Sequence, residues 1–456
     1  MTFDLSRLLR ERAGSGIELY RRHSNPRFVQ MLETIGFDRR WARAEGAYLY
    51  DDAGTRYLDW LGGFGMFGVG RNNPVVVEAL TQALALQTPS LPQLGLSDLP
   101  GLLAEELVRI SPAGIDRVLF VNSGTEAVEA ALKIGRAATK RARVVALDKG
   151  FHGLTLGSLA LNGSAAERRR FEPLLPGVSF VPRDDPEALE RELAREDVAL
   201  FIVEPVQGRG VNLPADGYLQ EAQAICRRYG TLFCLDEVQT GFGRTGRMFA
   251  AEHWGLEPDL MTVAKSLSGG FVPVGALLLR HSVHEGVFDS LEHATSHGST
   301  FAPADLSMAA GLAAIAELER LDLPARAARL GELLLERTRP LLEEHAVVSD
   351  VRGLGLIWAI EFDEPGAGSR TWRFVEKRQS GLFSQFAIGP LFRRHHVLSQ
   401  VAGHSLNVIR GTPPLVLTEE DVEWFAEALA DSVRRAGRIT RSFVSFAARA
   451  VPHVAR

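Results

Sequence analysis

Leu260-Met-Thr-Val-Ala-Lys265-Ser-Leu-Ser-Gly-Gly270, read with Thr231-Leu-Phe-Cys-Leu-Asp236 upstream of it, decides the fold. Each stretch is a short apolar run closed by a charged residue, the pattern of a buried strand. A lysine followed by small residues can be enclosed by backbone. An enclosed ammonium loses its proton easily, and the neutral amine forms a Schiff base with an aldehyde. Asp236 is the kind of acid that pairs with a protonated pyridine nitrogen. Together the two residues suggest a pyridoxal phosphate (PLP) site, with Lys265 on the aldehyde and Asp236 on the ring nitrogen.

The chain around them alternates strand-like and helix-like segments from about residue 74 to residue 320. Strands are expected at 117–121, 143–147, 198–203, 232–235 and 260–264, with helices at 126–140 and 216–229. Such alternation predicts an α/β domain whose mostly parallel sheet is covered on both faces, with ligands at the carboxyl ends of the strands. Residues 48–59 read as a hairpin around Asp52-Ala-Gly54. After Leu321 the pattern becomes α+β, with a long helix over 324–344, strands at 356–362 and 406–410, and a helix over 419–435.

Other stretches gain meaning beside Lys265. Asn122-Ser-Gly-Thr-Glu-Ala127 follows a strand and opens a helix, where backbone N–H groups and hydroxyls suit a phosphate; standing alone it is equally an ordinary cap. Phe151-His-Gly153 offers an aromatic face. Glu204 ends the 198–203 run and would face the crevice. Thr300, in Gly298-Ser-Thr-Phe301, is either a phosphate ligand or the cap of a helix beginning near Pro303. Arg410 precedes Gly411-Thr-Pro-Pro-Leu415, whose rigid turn fixes its direction for a bidentate grip on a carboxylate.

Composition excludes several classes. The 456 residues are 46% hydrophobic and 23% charged, enough for a large core. Lys+Arg (51) and Asp+Glu (56) nearly balance, so nothing points to nucleic acid. No apolar run is long enough for a membrane span, and residues 1–16 lack a secretory apolar stretch. The two cysteines, Cys226 and Cys234, read as reduced core residues. A cytoplasmic enzyme is expected. His395 and His396 do not make a metal site, because adjacent side chains on a helix diverge, and no metal is expected.

These motifs, in this order, resemble the class III aminotransferases, PLP enzymes of fold type I. The matching stretches add Val203-Glu-Pro-Val-Gln-Gly208, Asp236-Glu-Val-Gln-Thr-Gly-Phe-Gly-Arg-Thr-Gly246 and Ala264-Lys-Ser266 to those above, and the likeness runs from about residue 48 past residue 418. Gly62-Gly-Phe-Gly-Met-Phe-Gly-Val-Gly-Arg-Asn-Asn-Pro-Val-Val-Val77 is most similar to the putrescine and ornithine aminotransferase branch.

The resemblance implies a large PLP-binding domain over 76–325 with a sheet of the seven-stranded type. It also implies a small α+β domain over 326–456, completed by residues 1–75 and carrying an insertion near 370–404. By the same resemblance, Ser123, Gly124 and Thr125 bind the phosphate, with Thr300 supplied by a neighbouring subunit. Phe151, beside His152, stacks on one ring face and Val238 covers the other. Gln239 touches the ring hydroxyl and Glu204 holds Gln239 or the substrate. Arg410 takes the carboxylate of 2-oxoglutarate or glutamate, and Trp60, Phe64 and Met66 line the amine entrance, although these three read equally well as core residues. The implied reaction moves an amino group between a primary amine (diamine, ω-amino or amino-acid type) and a 2-oxo acid such as 2-oxoglutarate or pyruvate, in a homodimer with shared sites. An aminomutase, a decarboxylase or a non-catalytic binding protein on the same scaffold are the alternatives.

The chain departs from the family pattern in three places. Arg209 stands where many relatives of the branch have a glutamate that pairs with the arginine of the Pro-Pro motif. Arg209 and Arg410 would repel if close, which implies either an anion-friendly pocket or an outward-turned Arg209. The stretch Thr300-Phe-Ala-Pro-Ala-Asp-Leu306 departs from the usual Gly-Gly-Asn-Pro-Leu after Thr-Phe. The stretch 372–404 is long and carries Phe374, Phe383, Phe386 and Phe392, expected as a surface insertion or as an apolar wall for a bulky or long-chain amine.

Overall fold

The computed structural model describes residues 3–90, 95–363, 382–402 and 407–437. Three sheets organise them. The first is formed by β1 (Trp41–Glu45), β2 (Tyr48–Asp51) and β3 (Arg56–Asp59). The central sheet comprises β4 (Arg117–Val121), β5 (Arg143–Leu147), β6 (Val178–Val181), β7 (Val198–Val203), β8 (Leu232–Asp236), β9 (Leu260–Val263) and β10 (Gly275–Leu279). The third contains β11 (Val348–Leu354) and β12 (Ile357–Phe362). It is followed in the chain by β13 (Val397–Leu398), β14 (Gln400–Val401) and β15 (Val408–Gly411).

The central order is β4-β10-β9-β8-β7-β5-β6. The pairs β9/β8, β8/β7, β7/β5 and β5/β6 are parallel, while β10 runs antiparallel to both β9 and β4. Six strands therefore share one direction, and β4, β5, β7, β8 and β9 all end on one edge. Every residue of β7, β9 and β10 is buried, as expected for strands covered on both faces. The expected mostly parallel sheet is present; β6 and β10 were not anticipated.

Helices cover both faces. The helix Gly124–Thr139 buries Ala127, Ala130 and Ala131, small residues that let it lie close to the sheet. The helix Asp305–Arg320 buries Met308, Ala310, Ala314 and Leu318. Cys226 and Cys234 are buried and free. The helix expected over 324–344 is two, Leu323–Thr338 and Leu341–Glu344. Pro340, which has no N–H to give, stands between them.

The third sheet has the order β11-β12-β15-β14, and Arg410 of β15 pairs with both Ala359 and Gln400. The N-terminal hairpin is tied to this region, since β3 pairs in parallel with β13 through Leu58 and Val397. Tyr48 Oη donates to Asp421 Oδ1 at 2.6 Å. Of the long stretch 372–404, Phe374 and His404 lie outside the described residues. The part within them forms the helix Leu382–Arg393 followed by β13 and β14.

Trp60 corrects an expectation. It is fully buried and stacks on Phe425, ring centroids 3.7 Å apart and planes 7° from parallel. The end of β3 directs it between the N-terminal hairpin and the helix Glu419–Gly437, so it is core and not a wall of the amine entrance. Trp60→Ala is expected to cost about 3–5 kcal/mol of stability, the range for emptying a large aromatic site. Thermal or denaturant unfolding measures it, and an unchanged midpoint with an altered amine preference contradicts the core placement.

Candidate active site

The carboxyl edge of the central sheet opens into a cavity of about 1750 Å3. Its floor follows from register. Asp236, the last residue of β8, lies opposite Thr262 of β9, and Thr262 Oγ1 donates to Asp236 Oδ1 at 3.0 Å. The Val238 N–H donates to the same oxygen at 3.2 Å. Asp236 Oδ2 lies 2.7 Å from His152 Nδ1. An ionised carboxylate only accepts, so Nδ1 carries the hydrogen. Burial alone would pull the His152 imidazole down, but the hydrogen bond and charge of Asp236, with Glu204 nearby, hold it above its ordinary value.

Lys265 follows β9 with φ +47°, a left-handed conformation uncommon outside glycine. The turn Lys265–Ser268 then carries the chain away from the sheet. Removal of water pulls the Lys265 amine down to about 8; Arg410 and Arg244 act in the same direction, while Asp236 and Glu204 oppose. A substantial neutral fraction near neutral pH follows, which is the form that attacks a carbonyl carbon.

At the other end of the cavity lies the N-terminus of the helix Gly124–Thr139. Its first N–H groups have no intrahelical acceptor, and its dipole favours an anion. Ser123, the N-cap, accepts from the Glu126 N–H. A Cβ on Gly124 would come within 2.7 Å of Val238 Cγ1, so glycine is what lets the helix start approach Val238. The Thr125 hydroxyl is shared with Thr155 (2.8 Å) and Ser158 (2.6 Å), leaving its backbone N–H as its contribution to an anion.

Glu204, just after β7, fixes backbone. Its Oε1 accepts from the Phe151 N–H and its Oε2 from the Gly208 N–H, both at 2.8 Å. Burial above all pushes its carboxyl above the usual range, with Asp236 adding to it and His152 opposing. Glu204 does not hold Gln239. Gln239 donates to Phe64 O at 3.0 Å and accepts from Arg410 Nη1 at 3.3 Å. Arg410 also donates to Gly208 O; a Cβ on Gly208 would overlap Gln239 Oε1, so this meeting requires glycine. With the Gln400 carboxamide oxygen turned to the guanidinium, it accepts from Arg410 Nε and Nη2 at 2.7 Å each.

The structure thus brings Ser123, Gly124, Thr125, Phe151, His152, Glu204, Arg209, Asp236, Val238, Gln239, Lys265 and Arg410 to one cavity, with Phe64 and Met66 on its wall. Trp60 is not among them. Thr300 is exposed on a loop outside this cavity lining, and the following helix is capped at Ala304, so Thr300 is not its cap. Arg209 is not turned outward: it faces the cavity and pairs with Glu167. Sequence reading missed Glu167, Asn162, Thr262 and Gln400. Glu167 sits in Glu-Arg-Arg-Arg, which reads as a solvated face, and the other three act only through pairings that the fold creates.

The donor set fits PLP. It supplies an amine that burial draws towards neutrality, a buried carboxylate, a helix start beside hydroxyls, and apolar surfaces at Phe151 and Val238.

Comparison with known proteins agrees. The family model "Aminotransferase class-III" matches residues 36–433. The chain is 38% identical to the putrescine aminotransferase of Pectobacterium atrosepticum, covering 89% of this chain and 85% of that one. It is 34% identical to Aminotransferase PigE of Serratia sp., covering 91% of this chain and 52% of PigE, so it spans about half the length of that relative. Among solved structures, the ornithine aminotransferase of Toxoplasma gondii, with PLP at partial occupancy in its active site, superposes with a TM-score of 0.78. It is 31% identical, over 88% of this chain and 90% of that one.

Capture of PLP by the apoprotein, followed by visible absorbance, is expected to rise with pH through a midpoint near 8 and to be absent in Lys265→Ala. A midpoint at the ordinary lysine value of 10.5 contradicts the dehydrated amine.

Proposed function

This chain belongs to the class III aminotransferases, and from that premise we propose that it catalyses PLP-dependent transamination between a primary amine and a 2-oxo acid. The observation that carries this reading is the placement of Lys265 and Asp236 at the ends of adjacent parallel strands, in one cavity with the start of the helix Gly124–Thr139.

Bound there, PLP supplies an aldehyde that condenses with amines and a pyridinium ring that draws off the electron pair left when a proton leaves the neighbouring carbon. The protein's own residues do the rest. Lys265 holds the aldehyde until a substrate amine takes its place. Its amine, drawn towards neutrality by burial, would be placed to move a proton between adjacent carbons once substrate has displaced it. Asp236 would pair with the ring N–H, and its hydrogen bonds with His152 and Thr262 fix the direction of its carboxylate. Val238 and Phe151 would confine the ring, while Ser123, Gly124 and Thr125 would anchor the phosphate. Arg410 takes the carboxylate of the 2-oxo acid; burial first, and Arg209 second, lower its guanidinium to about 10, which leaves it charged at neutral pH.

The outer wall of the cavity includes Phe28, Met31, Leu32, Phe386 and Ile388, from the helices Pro26–Ile35 and Leu382–Arg393. Apolar surface there suits the carbon chain of the amine, whether diamine, ω-amino or amino-acid type. Thr300, exposed on its loop, is assigned to the site of a second copy, and with it a homodimer with shared sites. A cytoplasmic setting completes the proposal; among the described residues no helix is long and apolar enough to cross a membrane.

Amine added to the purified holoenzyme without a 2-oxo acid is expected to release one equivalent of carbonyl product per site and stop, and added 2-oxo acid restores turnover. Continuous amine consumption without an acceptor, or release of carbon dioxide, contradicts transamination.

A further inference from the structure

Two of the arginines that line the cavity, Arg410 and Arg209, stand in opposite circumstances. Arg410 is 7% exposed, and the oxygens it contacts are neutral: Gly208 O, Gln239 Oε1 and, in the orientation given above, the Gln400 carboxamide. Glu204 acts on it only at a distance, because both Glu204 oxygens are taken by the backbone N–H groups of Phe151 and Gly208. A buried guanidinium held by neutral oxygens keeps its charge for an incoming anion.

Arg209 is already neutralised. Its Nη1 pairs with Glu167 Oε1, and its guanidinium carbon lies 4.0 Å from the Phe151 ring centroid. Glu167 is itself anchored. Its Oε2 accepts from Asn162 Nδ2 at 3.4 Å. Asn162 is fully buried, accepts the His152 N–H at 2.8 Å and reaches Gly153 O at 3.0 Å. The neighbouring Arg168 donates to Asn162 O and lies over Phe180. The carboxylate is thus fixed to the same loop that carries Phe151 and His152. For Arg209 to take a second carboxylate, it would have to release an anchored, partly buried partner and leave that charge uncompensated, which is unfavourable.

We propose that Glu167 is a specificity-determining residue. By neutralising Arg209 it leaves Arg410 without a second uncompensated guanidinium beside it, and so selects 2-oxo acids with one carboxylate over those with two. This rests on the transamination reading above. Removing the Glu167 charge exposes a second, partly desolvated guanidinium to the far end of a dicarboxylate, which then gains a charge-assisted pair that a monocarboxylate cannot make.

Glu167→Gln tests this in the holoenzyme, because the amide keeps the shape and the Asn162 contact while losing the charge. Binding is read by calorimetry with two unreactive probes, glutarate and butyrate. The second half-reaction is read as the ratio of kcat/KM for 2-oxoglutarate and pyruvate. The wild-type protein is expected to favour pyruvate. Glu167→Gln is expected to tighten glutarate by about tenfold with butyrate changed less than about twofold, and to shift the ratio towards 2-oxoglutarate. The double variant Glu167→Gln/Arg209→Met is expected to lose that gain.

Three results overturn the proposal: an unchanged glutarate affinity in Glu167→Gln, a gain that survives loss of Arg209, or a wild-type preference for 2-oxoglutarate. The last needs no variant to fold. Failure of the transamination reading looks different, as no half-reaction with either acid, and it overturns both.

Discussion

A single cross-strand hydrogen bond sets the chemistry of this molecule. Thr262 Oγ1 on β9 donates to Asp236 Oδ1 on β8, and the register behind it brings Asp236 level with the strand that ends at Lys265. Shift the pairing by one residue and every side chain on β9 changes face. Asp236 would lose Thr262, and Lys265 would turn away from the cavity. β8 and β9 are almost wholly buried, so the polar contact between Asp236 and Thr262, rather than a choice between core and solvent faces, marks this register. The charged pair is thus carried by buried strands of the central sheet.

Around that pair, the electrostatics are a balance of burial against neighbouring charge. Dehydration moves Lys265 towards neutrality and Glu204 towards protonation, while His152 is held the other way by Asp236. The same desolvation would be costly if the charges were unpaired. Glu204 and Asp236 are therefore each tied by several hydrogen bonds, and Arg209 is tied by Glu167 and Phe151. Arg410, by contrast, is buried among neutral oxygens and keeps its charge uncompensated by a direct ion pair.

The apolar runs at β4, β5, β7, β8 and β9 were legible because a buried parallel strand is hydrophobic on both faces and ends abruptly at polar residues. The helix start at Ser123, Lys265 and Asp236 were legible for the same reason: they stand at those ends. Two kinds of feature were not. Gly275–Leu279 is as apolar as its neighbours, but nothing local says that it runs backwards between β9 and β4. Side-chain partners made by long-range packing also left no trace. Trp60 reads as an entrance residue until Phe425 stacks on it, and Glu167 reads as a solvated acid until the 151–153 loop brings Arg209 to it. Motifs report where a strand ends, whereas contacts between distant segments depend on the whole fold.

The account stands most directly on which side chain carries the cofactor. Borohydride reduction of the freshly purified protein, followed by peptide mass mapping, answers this, and the sequence contains only five lysines, Lys133, Lys140, Lys149, Lys265 and Lys377, to distinguish. The account predicts a single stable adduct of PLP mass on Lys265. An unmodified Lys265, or an adduct on another of the five, contradicts it.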